Sequence, residues 1–70
     1  MSEADEKMVA DLVAVALTRL HDVSPPRRLA ILGALLENAC RRVSKHRLQA
    51  CLYLIKLEVH ALEKLIEGMS

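Results

Sequence analysis

The sequence predicts an all-α fold: one small domain over residues 1–70, built as a bundle of three helices or as a hairpin with one long kinked helix, and completed by homodimerisation. Three observations carry this. Apolar residues recur at steps of three and four along nearly the whole chain. The only prolines stand together at Pro25 and Pro26, where they separate one periodic stretch from the next. There is no Trp or Phe and one Tyr (Tyr53), so the core must be Leu, Val, Ile, Ala and Met, which suits close packing of helices.

The first helix is expected over about residues 3–22. Ser2 with Asp5 three residues on forms a capping pair: the hydroxyl satisfies an orphan amide and the helix dipole favours the carboxylate. Val9, Val13, Ala16, Leu20 and Val23 make its seam, while Met8, Leu12, Val15 and Leu17 fill much of the remaining circumference. Ser24 precedes proline, which disfavours helix there, and Ser then Pro opens the second helix, expected over about 25–43.

That second helix carries Leu29, Leu32, Leu36, Ala39 and Val43 on one seam, with Ile31, Ala34 and Leu35 beside it. Gly33 costs about 1 kcal/mol relative to Ala in a helix. Next to Ala30 and Ala34 it marks a place for a close helix approach, unless it is merely tolerated.

The third helix, expected over about 46–67, has the most regular seam: Leu48, Leu52, Ile55, Val59, Leu62 and Ile66 alternate four and three, as in a coiled coil. A second seam of Ala50, Leu54, Leu57, Ala61 and Leu65 lies beside it, leaving a polar face made mainly of Gln49, Lys56, His60, Glu63 and Glu67. Gly68 is expected to end the helix. The seams ending at Val43 and starting at Leu48 are out of register by one residue, across Ser44, Lys45, His46 and Arg47. Either Ser44 caps a new helix after a tight turn or one long helix kinks. The register change favours the turn, although no Gly or Pro marks it.

Charge is uneven along the chain. Residues 1–18 are net acidic through Glu3, Asp5, Glu6 and Asp11, and residues 19–47 are net basic through Arg19, Arg27, Arg28, Arg41, Arg42, Lys45 and Arg47. An acidic start does not resemble a secretory signal, and no apolar run approaches the roughly 20 residues that span a bilayer. Cys40 and Cys51 then read as reduced, buried thiols in a cytoplasmic protein with no membrane partner.

His21, His46, His60, Cys40 and Cys51 are potential metal ligands, but none are paired at ligand spacing on one helix. On a continuous helix Cys40 and Cys51 would lie about 16 Å apart; only a hairpin could unite them. No metal, cofactor or small-molecule substrate is expected. Neither is catalysis, since no nucleophile–base pair, sequestered carboxylate or phosphate loop is apparent.

Two functional expectations follow. Three helices, each apolar over more than a third of their circumference, offer more surface than 70 residues can cover, so the chain should act as a homodimer or pack on another protein. Leu48, Leu52, Ile55, Val59, Leu62 and Ile66, with Val9 and Val13, would form that interface, and regulation or chaperoning would be its use. The alternative is nucleic-acid binding through Arg41, Arg42, Lys45 and Arg47, set against cations merely gathering where the dipole of helix two favours them. Arg27 and Arg28 lie where the dipole disfavours cations, so they call for an anion, which the acidic start of helix one could supply.

Overall fold

The computed structural model describes residues 2–69, which form three helices: α1 (Glu3–Leu20), α2 (Pro25–Arg41) and α3 (Lys45–Met69). The three-helix reading therefore holds over the kinked hairpin. Ser2 caps α1 as expected, its hydroxyl accepting from the Asp5 N–H at 3.2 Å. Pro25 and Pro26 occupy the first two positions of α2, where a missing N–H removes no helical bond.

Both α1 and α2 pack along α3, and their backbones make few close approaches to each other. Asp5 of α1 meets His46 at the start of α3, whereas Arg28 at the start of α2 meets Glu58 far along α3. It follows that α1 runs parallel to α3 and α2 antiparallel to it. The core sits where the three come together, around Val13, Leu32, Ala50 and Leu54, with Val9, Leu12, Ala16, Leu20 and Ile55 packed against it. The predicted seams of α1 and α2 face this core, and Leu32 at their centre is 1% exposed.

Two details differ from expectation, and a third settles an alternative. The second helix stops at Arg41, and Val43 leaves its seam for a left-handed turn with φ 54° and 88% exposure. The hydrogen bonds explain how: the Ser44 N–H donates to the Ala39 carbonyl at 3.0 Å and the Val43 N–H to Cys40 at 3.3 Å. This six-to-one and five-to-two pairing is the Schellman closure, in which glycine usually takes the left-handed place. The chain here uses a β-branched residue, so the turn carried no sequence mark.

Gly68 does not end α3, which continues to Met69. Glycine adopts right-handed helix as readily as the left-handed cap, and no positive φ occurs at either glycine. At Gly33 there is no close neighbour: a Cβ built there would meet nothing within 4 Å, and Ala30 and Ala34 beside it are exposed. Among the described residues, none beyond its own helix comes within 4 Å of that position.

Candidate interaction surface

Each predicted interface residue has a definite place. On α3 the fully buried residues are Ala50, Cys51 and Leu54, which belong mostly to the second apolar seam. The seven-residue seam is divided. Leu48, Ile55 and Leu62 are half-buried, whereas Leu52, Val59 and Ile66 are exposed. Val13 is a core residue and Val9 packs against it, so in this arrangement the chain's own core takes them up.

The reason lies in helical geometry. A side chain is displaced by about 100° from its neighbour, so two helices packing on α3 approach from two sides. Ile55 on one flank and Leu54 on the floor both reach the core, while Leu52, Val59 and Ile66 are left outside.

A groove of about 520 Å³ remains between α1 and α2, whose backbones make few close approaches to each other. Its walls are Leu12, Val15 and Ala16 of α1 and Ile31 and Leu35 of α2, and Ala50, Cys51 and Leu54 of α3 form its floor. Val15 and Leu35 at its edges are 51% and 45% exposed. Arg19 and Arg47 also border it. A second depression, lined by Val9, Ala10, Val13, Leu17 and Tyr53, lies on the far flank of α1. Beyond the bundle, every residue from Glu63 to Met69 is exposed, including Leu65, Ile66 and Met69.

Arg41, Arg42, Lys45 and Arg47 converge on the turn between α2 and α3, and all are exposed. Arg41 pairs with Glu37 at 2.6 Å one helical turn back. Among the described residues no carboxylate stands within ion-pair distance of the other three. Arg27 is likewise exposed and unpaired among them. Arg28 finds its anion on α3, not on α1: its Nε lies 3.2 Å from Glu58 Oε1, with both side chains largely shielded. That N–H is not aimed along a hydrogen bond, so the contact is an ion pair held mainly by charge.

The acidic start of α1 meets a different partner. The ring N–H of His46 donates to Asp5 Oδ1 at 2.9 Å. The hydrogen bond from His46, and then that from Ser2, hold the Asp5 carboxyl below the usual carboxylate range.

Cys51 is buried, and that burial pushes its thiol pKa up, against a smaller opposing pull from Arg47. Cys40 is exposed, which corrects its reading as a core residue: its neighbour Ala39 is the one turned inward. Gln49 also departs from expectation, because its side-chain carbonyl is buried rather than on the polar face. Among the described residues, no three His, Cys, Asp or Glu side chains gather as a metal-binding group.

Sequence reasoning missed Val15, Leu35, Leu65 and Met69 as candidates. The signal for Leu65 was present: Ala50, Leu54, Ala61 and Leu65 share one face of α3, and that face outlasts the two helices available to cover it. No described helix is long and apolar enough to cross a membrane. Comparison with protein-family models, with curated proteins and with solved structures finds no match to this chain.

Proposed function

We propose that this chain is a non-enzymatic protein–protein interaction module, working as a homodimer or as a small subunit packed on a partner, with a regulatory or chaperone-like use. One observation carries the reading: large apolar side chains remain outside the core on every helix, including Val15 and Leu17 on α1, Leu35 on α2, and Leu52, Val59, Leu65 and Ile66 on α3. Exposed apolar area of this extent is more than a small soluble chain usually leaves bare, and such area marks sites of association. The reading keeps the protein in the cytoplasm, where its two free thiols are stable.

The test is site-specific photo-crosslinking in cells, with a photoreactive residue at Val59 or Ile66 and the product identified by mass. A discrete adduct of defined composition, either a second copy or one other protein, is the expected result. Illumination that yields no discrete adduct at either position, from a protein that is monomeric in solution, contradicts the reading.

A second reading rests on the exposed cations at the α2–α3 turn. Arg42, Lys45 and Arg47 are exposed around one turn with no carboxylate within ion-pair distance among the described residues, although Asp5 lies near enough to Lys45 to feel its charge, and such a cluster suits a phosphate backbone. Binding to mixed-sequence DNA or RNA that weakens steeply with salt, and disappears when Arg41, Arg42, Lys45 and Arg47 are changed to Ala, would support it. Absence of binding at low salt would dismiss it.

A further inference from the structure

We infer that the groove between α1 and α2 is occupied by the C-terminal end of α3 from a second copy, the two copies exchanging these ends around a two-fold axis. The inference rests on the interaction reading and names its partner.

It begins with the interior face of α3. Ala50 and Leu54 are 3% and 4% exposed beneath α1 and α2. Continuing along the same face by steps of seven and four leads to Ala61, which is exposed, and Leu65, which is 63% exposed. Met69, one turn further, is 79% exposed. A single apolar stripe is thus covered over its first half and bare over its second, and nothing else in the described chain extends far enough to cover it.

The groove has the complementary fault. With α1 and α2 both packed on α3 and their backbones making few close approaches to each other, the groove between them stands where the helix diagonal to α3 would lie in a four-helix bundle. Its length fits the missing piece. At 1.5 Å per residue the wall from Leu12 to Leu20 is about 12 Å long, and so is the segment from Ala61 to Met69.

A two-fold axis supplies both requirements at once. If two α3 helices cross antiparallel near Val59 and His60, Leu65 of each copy lies at the level of Leu54 in the other. The bare stripe of each copy then faces the groove of its mate, between Val15 and Leu35. The interface is self-complementary and closed, so it ends at two chains rather than propagating.

The test uses the full chain and two exposed positions whose substitution leaves the monomer's core intact: Leu65→Asp in the projecting end and Leu35→Asp in the groove wall. Sedimentation equilibrium should show wild-type dimers, and each variant should dimerise at least about tenfold more weakly while keeping its helical circular dichroism. An equimolar mixture of the two variants should form heterodimers tighter than either variant's own dimer, because one tail and one groove are intact in the same pairing. The inference is overturned if the wild type stays monomeric at 100 µM as a trial concentration (roughly the micromolar-to-millimolar span of modest affinities), if both variants dimerise as the wild type does, or if mixing brings no gain. Variants that remain dimeric while crosslinks at Val59 or Ile66 persist would overturn this pairing and leave the interaction reading standing.

Discussion

Val43 shows most plainly how a local conflict is resolved by the residues around it. A left-handed β-branched residue is strained by about 1–2 kcal/mol, yet the turn forms because the Ser44 and Val43 amides satisfy the orphan carbonyls of Ala39 and Cys40. Val43→Gly removes that strain at the expense of about 0.5–1 kcal/mol in chain entropy. The variant should therefore be more stable by roughly 1 kcal/mol and melt several degrees higher; a lower melting temperature in thermal unfolding would show that the turn is not left-handed. The two thiols provide an independent check. Cys40 is exposed, and Cys51 is buried with its pKa raised, so a thiol reagent at neutral pH should modify Cys40 rapidly and Cys51 only on unfolding. Equal rates in the Cys40→Ser and Cys51→Ser variants would contradict the burial of Cys51. Asp5 adds a pH signature. Its folded pKa lies below the unfolded value of about 3.9, so its contribution is present above that pH and is lost as pH falls through the folded value. The stability difference between wild type and Asp5→Asn should shrink below about pH 4, and urea titrations in which it persists unchanged to pH 2 (about two units below the unfolded pKa) would refute the Asp5–His46 contact.

At the scale of the element, the sequence was legible wherever periodicity and punctuation agreed. The seams through Val13 and Leu32 and the caps at Ser2 and Ser24 place α1 and α2 correctly, because both signals are local. Gly33 could be read two ways for a physical reason: a helical glycine signals either a close approach or nothing, and only the packing decides. At Gly33 it signals nothing, since added methyl volume would meet open space. Gly33→Ala should then stabilise the protein by about 1 kcal/mol, the difference in helix propensity. Destabilisation by a similar amount in chemical denaturation would mean that another chain lies against that face. On α3 the most regular seam was not the buried one. Spacing shows which residues share a face, and the directions from which α1 and α2 arrive choose among the faces. The Arg28–Glu58 and Asp5–His46 pairs join elements far apart in sequence, so their partners could not be assigned before the fold was known.

For the whole molecule the central quantity is uncovered apolar surface. The core proper comprises Val13, Leu32, Ala39, Ala50, Cys51 and Leu54, while more large hydrophobic side chains than that lie exposed. A chain of this length has a marginal core by itself, and association is the usual remedy. The structure adds shape to this argument, with a groove missing one helix and a helix end missing its cover. The sequence could supply the excess of apolar residues, but not the groove, which exists only because α1 and α2 stand apart on α3. The most direct test is the native mass spectrum of the purified 70-residue chain at micromolar concentration. The account predicts a species of twice the 7.8 kDa chain mass. A lone monomer at every concentration, with its helices intact, would contradict it.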